Sequence, residues 1–353
     1  MARLAKMLDI KTQSVEGLLA LTSIKGVGPV LAERIASKAP LLRDLVGEDA
    51  HRILRSVPSA VAEMISQPQE VQKAIDRAES ILEEAEKRQV QVVSVFDEQY
   101  PQRLKMIPDR PSLLYIKGQL LQSGRDVACI GTREPSRFGE QVTRRIVAQL
   151  VSSDWTIVSG LAIGIDTLSH RSAIESGGRT VAVMAGGLDS IYPRQNTRLA
   201  EEIVETGGAL ISEQPFGVPP ARGNLVKRDR LQSGLSVATF VMQTDIQGGS
   251  MHTVRFTLQQ RRMLFAPVPA GSHAAEPKSR GLIALTAQTG SWLADALMAE
   301  GDYRDLLLSK FSHSPVAISL NNRDDYALML DMLQIEYSKG INRADSVTKG
   351  GLL

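Results

Sequence analysis

A chain of 353 residues, 43% hydrophobic and 23% charged, is long enough for a sizeable core and for two or three domains. A net charge of +2 excludes a surface basic throughout, aromatic residues at 4% exclude wide stacking platforms, and the single cysteine, Cys129, excludes an intrachain disulfide. No apolar run approaches the roughly 18 residues of a membrane span, and the basic Arg3 and Lys6 precede no signal-type apolar stretch, so a cytoplasmic protein without membrane contact is expected.

In chain order, residues 1–88 read as a helical domain. Its most specific piece runs from Leu21 to Ile35, where Leu21 and Ile24 precede Gly26-Val27-Gly28 and Val30, Leu31 and Ile35 resume a helical period. The pattern resembles a helix-hairpin-helix, whose turn aims backbone N–H groups at a DNA phosphate, and it fits a plain packing turn equally well. The charges at helical spacing between Ser59 and Arg88, among them Asp76, Glu79, Glu83, Glu84 and Glu86, read as a solvated helix leading out of that domain.

Residues 89–124 form a strand-containing preamble, with a period of two over Val90–Phe96 and an apolar run at Leu113–Gly118. The main domain is expected over 125–295. Its strands are Val127–Ile130, Trp155–Val158, Arg179–Met184, Ala209–Ser212, Val237–Met242 and Met263–Ala266, and the stretches between them have helical character. Six strands alternating with helices predict an α/β fold, a Rossmann-like doubly wound parallel sheet; the order of the strands is not readable. Residues 296–353 carry helical pieces, such as Asp325–Ile335, and an exposed-looking tail from Ala344; they are left as an extension of uncertain fold.

Ligands of such sheets sit beyond the carboxyl ends of the strands, which collects Gly131, Arg133, Ser136, Gly139, Ser159, Gly160, Gly164 and Asp166 on one edge, with Thr132 in the first of these loops. Glycines there would let a phosphate approach the backbone, and helix N-termini would supply N–H groups to hold it. Arg133 follows the first strand of the main domain, and Lys227, Arg228 and Arg230 are expected to open a later helix at the same edge. Converging cations of this kind would neutralise backbone phosphates without reading sequence. Against this stands a purely structural role, with the arginines paired to Asp166, Glu213 and Asp229. Asp166 and His170, four residues apart on one helix, are read as a structural hydrogen bond near the helix start, with no catalytic residue assigned. No metal-ligand spacing, dinucleotide fingerprint or P-loop is present, so neither metal nor cofactor is expected.

Several motifs in fixed order then resemble the DprA/Smf family of bacterial DNA-processing proteins: Ile130-Gly-Thr-Arg133 with Ser136 and Gly139, Ser159 to Asp166 with His170, Ala185 to Asp189 with Tyr192-Pro193 and Asn196, and Ser212-Glu213. Tyr100-Pro101 and Leu114–Gly118 match the segment before the Rossmann domain, and the likeness covers roughly Val90 to Gly271. The resemblance implies an extended Rossmann domain that binds single-stranded DNA, a homodimer, no enzymatic activity, and a RecA-type recombinase as partner. Carried over, Arg133, Lys227, Arg228 and Arg230 would be the basic contacts, and Gly131, Ser159, Gly160, Gly186 and Gly187 the pocket floor. The family's usual Arg-Asn-Arg is Arg228-Asp229-Arg230 here, where the aspartate would offset charge or hold both guanidiniums. A divergent paralogue that senses nucleic acid or nucleotide and restrains a toxin or defence partner is the alternative, and a nucleotide N-glycosidic hydrolase the weaker third.

Overall fold

The computed structural model describes residues 9–46, 50–120 and 122–350, the side chains of 341–350 excepted. Arg3, Lys6 and the exposure expected of the tail from Ala344 therefore lie outside the described residues. Nine strands form one sheet: β1 Val90–Ser94, β2 Leu113–Gly118, β3 Asp126–Gly131, β4 Thr156–Ser159, β5 Thr180–Val183, β6 Ala209–Ser212, β7 Ala238–Gln243, β8 Met263–Pro267 and β9 Ile318–Leu320. Their order is β1-β2-β6-β5-β4-β3-β7-β8-β9. β2 runs antiparallel to both β1 and β6, and the pairings from β6 across to β9 are parallel.

The helices that matter for the argument are α1 Val15–Ser23, α2 Pro29–Ala36, α3 Pro68–Lys87, α4 Arg137–Val151, α5 Ile165–Glu175, α6 Arg222–Leu235 and α7 Asp325–Gly350. Successive residues of the central strands bury into opposite faces: Phe240 and Met242 of β7 join one apolar cluster with Val147 and Leu150 of α4, while Val241 between them joins a cluster with Val254 and Leu258. That alternation is why the strands read as unbroken apolar runs rather than as an in–out pattern.

The helical region is not set apart from the sheet. α1 buries Leu18, Leu19 and Leu21, and α3 buries Val71, Ala74, Ile75 and Ala78, in the same cluster that holds Val93 of β1, Leu114 of β2 and Ile211 of β6. Each such aliphatic side chain contributes about 1.5–3 kcal/mol of burial, so packing runs straight across the expected 88/89 boundary. α3 is thus amphipathic, its acidic residues on one face and an apolar stripe against α1 on the other, and does not lead out into solvent. Pro68 at its first position needs no hydrogen-bond donor there and starts it cleanly. The hairpin turn forms between α1 and α2: Gly26 takes a φ of +89°, a conformation glycine adopts without strain, and the Val27 N–H donates to the Ile24 carbonyl at 3.0 Å.

Two further differences bear on function. The C-terminal extension belongs to the sheet, since β9 pairs in parallel with β8 and α7 buries Met329 and Leu333 in the apolar cluster that holds Val127 of β3, Ile157 of β4 and Phe240 of β7. Arg125 fixes that docking: its guanidinium lies 4.6 Å from the ring centroid of Trp155 and 5.1 Å from that of Tyr337 on α7, and Nη1 donates to Gln334 at 2.8 Å. In addition, α6 starts at Arg222, five residues before the expected opening at Lys227. Pro219, Pro220 and an extended Ala221 halt the preceding loop, and the helix begins at once despite the poor helix formers Gly223 and Asn224.

Candidate functional site

Strand order reverses around β3, which has β4 on one side and β7 on the other, so the loops leaving these strands part at their carboxyl ends. Two cavities open there. A small one, about 120 Å³, lies over the ends of β4 and β5, walled by Gly160, Ile163, Met184, Tyr192, Leu225 and other residues. A wide one, about 610 Å³, lies over the ends of β3 and β7, between Arg222 at the start of α6 and Asp245–Ser250. Arg133 and Arg228 line both. The two cavities therefore flank Arg133 along one continuous strand-end edge.

The four expected cations divide sharply. Arg230 is 3% exposed; its two terminal nitrogens donate to the two carboxylate oxygens of Glu213 at 2.8 and 2.7 Å, and its Nε donates to the Asp109 carbonyl at 3.0 Å. Arg228 is 6% exposed; Nη1 donates to the Gly160 carbonyl at 2.6 Å and to the Val183 carbonyl, and Nε to Asp229 at 3.2 Å. It thus satisfies carbonyls left over where β4 and β5 end. Lys227, next in the chain, faces away from both cavities toward a groove on the other side of the loop after β6, 3.8 Å from Glu213. Arg133 alone of the four is an exposed cation at the strand-end edge, with no hydrogen bond or ion pair among the described residues. The expectation that Arg228 and Arg230 present free charge to a phosphate gives way to internal bonding, because α6 from Arg228 to Leu235 is enclosed on nearly all sides, with only Asp229 less than fully buried, and the two arginines, on opposite sides of the helix, each meet acceptors of the chain.

Glycines that sequence reading assigned to phosphate approach are occupied by the protein itself. A Cβ on Gly160 would stand 2.4 Å from Arg228 Nη1, and one on Gly139 2.3 Å from Gln243 Oε1. At Gly131 the intruders would be Ile165 and the Gln243 carbonyl, at Gly186 the Val218 carbonyl, and at Gly187 Asp189 and the Pro215 carbonyl. The start of α4 is closed in the same way. Ser136 N–H donates to Gln243 Oε1 at 2.9 Å and Ser136 Oγ donates to Glu276, whose carboxylate also accepts from Gln243 Nε2 at 3.1 Å. A carboxylate of the chain stands where a phosphate was expected, and bonds from His273 and Ser136 hold it below the usual carboxylate range. Thr132 is tied down as well, its N–H donating to the Gln243 carbonyl at 2.8 Å.

Buried polar groups complete the floor. Ser159 Oγ donates to the Cys129 carbonyl at 2.7 Å. Asp166 accepts from the Ala162 N–H at 3.3 Å; burial raises its pKa to about 6, with the Arg228 charge opposing. Asp229 accepts from Arg228 and, at 2.9 Å, from Gln232, and holds only one of the two arginines, Arg230 having gone to Glu213. His170 pairs with Thr180 at 2.6 Å rather than with Asp166. The Thr180 hydroxyl donates to the Ile157 carbonyl at 2.7 Å, so His170 Nδ1 carries the proton, Nε2 has no partner, and burial with the nearby Arg228 charge drops the pKa to about 3. The hydrogen bond expected between His170 and Asp166 is thus replaced by one to Thr180. Burial likewise raises the Cys129 thiol, as an inert core thiol requires.

Three of the lining residues that sequence reasoning missed bear on function. Arg222 is exposed, without a partner among the described residues, and opens α6 on the wide cavity; the Pro219-Pro220 pair was the signal for a helix start. Tyr192, 45% exposed and followed by a cis peptide to Pro193, and Ile163, 42% exposed, edge the small cavity. Among the described residues no group of three or more His, Cys, Asp or Glu could hold a metal ion, and no helix is long and apolar enough to cross a membrane.

Fold and edge together define a Rossmann-like α/β protein with a mixed-charge groove at its strand ends. The chain belongs to the family described as DNA recombination-mediator protein A, whose profile matches residues 89–299. It is 36% identical over 259 residues to Protein Smf of Synechocystis, covering 70% of this chain and 63% of that protein, and 35% identical over 235 residues to the DNA processing protein DprA of Bacillus subtilis, covering 65% and 78%. The chain thus spans a little under two thirds of the Synechocystis relative. Among solved structures, DprA of Streptococcus pneumoniae aligns with a TM-score of 0.58 at 26% identity, covering 76% of this chain and 90% of that one. DprA of Helicobacter pylori, which binds single-stranded DNA, aligns at 0.51 and 25%, covering 69% and 96%.

Proposed function

We infer that this protein binds single-stranded DNA along the strand-end edge, as a non-enzymatic member of its family acting in DNA processing or recombination. The observation that carries the reading is Arg133, a cation without a partner among the described residues that stands between two cavities, in a chain related to a protein that binds single-stranded DNA. Arg222 widens the positive rim on one side, and the exposed ring of Tyr192 offers a stacking face on the other. Arg228, Arg230, Asp166 and Glu213 act beneath them as the scaffold that fixes the loops. Contacts would fall on the sugar–phosphate backbone, making binding tolerant of sequence and sensitive to salt. A cytoplasmic homodimer that hands its strand to a RecA-type recombinase goes with this reading. The test is affinity for an unstructured oligonucleotide and for a duplex of equal length across a salt series. Preference for the single strand, with log Kd rising linearly with log salt, is expected; equal affinity for both, or none for either, refutes it.

A further inference from the structure

Behind the loop that follows β6 lies a third cavity, about 580 Å³, between the helical region and the sheet. That volume falls within the ~300–1,000 Å³ typical of small-ligand clefts. Its walls come from both parts of the chain: Ser23 and Val27 at the hairpin turn and Arg77 on α3 on one side, Phe216 and Glu213 after β6 and Lys227 on α6 on the other. Glu213 is the one acid among the described residues lining it, and both its oxygens are already taken by Arg230 at 2.8 and 2.7 Å. Lys227, 52% exposed, reaches it only at 3.8 Å, and Arg77, also exposed, has no hydrogen bond or ion pair among the described residues. Arg77 therefore faces this cleft with no charge partner among the described residues, and Lys227 faces it sharing Glu213 with Arg230. The half-buried ring of Phe216 stands between them and the sheet, held edge-on by Tyr115 at 5.4 Å.

This cleft backs onto the small strand-end cavity through a shared wall. Val218 lines the cleft and its carbonyl accepts from the Gly187 N–H at 2.9 Å, beside Gly186 of the small cavity. The successive residues Lys227 and Arg228 of α6 face the cleft and the strand-end cavities respectively. A chain laid along the strand-end edge and turning over this loop would meet positive charge again on the far side. We propose that this cleft between the helical region and the sheet is a second phosphodiester site, in which Arg77 and Lys227 hold the continuation of a single strand whose first segment lies at Arg133, so that the helical region takes part in binding longer strands only. The proposal rests on the DNA-binding reading above and adds to it the route and length of the bound strand.

The test uses the full chain and two oligo-dT probes, one of ~6 nucleotides, enough for a single groove, and one of ~24. Arg77→Ser combined with Lys227→Ser changes exposed side chains, so folding is preserved. This variant is expected to weaken the long probe about tenfold and to lessen its salt slope by about 1.4, at ~0.7 for each phosphate no longer neutralised, while leaving the short probe unchanged. Arg133→Ala should weaken both probes. An iodouracil in the distal half of the long probe should cross-link to the peptide containing Phe216. If Arg133→Ala weakens both probes but the double substitution leaves the long one untouched, the cleft is not on the path and this proposal alone falls. Equal weakening of short and long probes by the double substitution also overturns it, as does displacement of the cross-link by oligoglutamate at equal charge, which would assign the cleft to an acidic peptide. A wild-type protein that binds neither probe overturns the DNA-binding reading and this inference with it.

Discussion

The floor and the rim of the strand-end edge use the same side chain for opposite purposes. On the floor, Arg228 and Arg230 are buried, and hydrogen bonds to carbonyls and to carboxylates absorb their charge. On the rim, Arg133 and Arg222 stand exposed with no partner among the described residues. An arginine with its donors filled by the chain fixes geometry; an arginine without partners is available to a ligand. A basic motif at a strand-end edge reports charge at a position in sequence, whereas the packing around the helix decides which of its residues meets solvent.

The comparison breaks most visibly if floor residues prove dispensable. Arg230→Ala leaves the Glu213 carboxylate buried without its bidentate partner, and should cost about 3–5 kcal/mol in urea unfolding. Adding Glu213→Gln to it should recover part of that loss, since the uncompensated charge is then gone. Next is acid stability. His170 stays neutral in the fold down to a pKa of about 3, against 6.5 when unfolded. Between those values the unfolded chain binds a proton that the folded chain refuses, so stability falls as pH drops below 6.5, by about 3 kcal/mol at pH 4. Asp166 acts in the other direction. Its folded pKa of about 6 lies above the ordinary 3.8, so it adds stability as pH falls through that window. Unfolding midpoints against pH should therefore be flatter in acid for His170→Asn and steeper for Asp166→Asn than for the wild type.

Gly160→Ala sharpens the same contrast at smaller cost. Its methyl would need the Arg228 guanidinium to move, for a loss of about 1–3 kcal/mol by denaturant titration. A loss below about 0.5 kcal/mol would show that Arg228 is free to move and that the floor is softer than its bonding indicates. The rim should show the smallest stability effect of all, with Arg133→Ala and Arg222→Ala each within about 0.5 kcal/mol of the wild type.

The sheet was largely legible from sequence because β3 to β8 are apolar runs that end at turns, and the motif order reached the same family that the profile and relatives show. β9 was not, since the three residues Ile318–Leu320 carry no period to detect. Nor were the roles of the glycines: a glycine kept small for Gln243 or Arg228 and a glycine kept small for a phosphate look identical until the neighbour is in place. Arg133 was correctly placed at the edge because a loop residue directly after a strand has few ways to hide. The burial of Arg228 and Arg230 was not legible, because α6 is enclosed on nearly all sides from Arg228 onward and a charged stretch at a helix start reads as solvated until its carbonyl and carboxylate partners are in place.

Salt dependence of oligo-dT binding by the Arg133→Ala/Arg222→Ala protein, set beside its urea midpoint, tests the division of labour most directly. Affinity several-fold weaker and a slope shallower by about 1.4, with the unfolding midpoint unmoved, is the predicted result. An unchanged slope and affinity in that protein would contradict the assignment of the rim as the place where the strand is held.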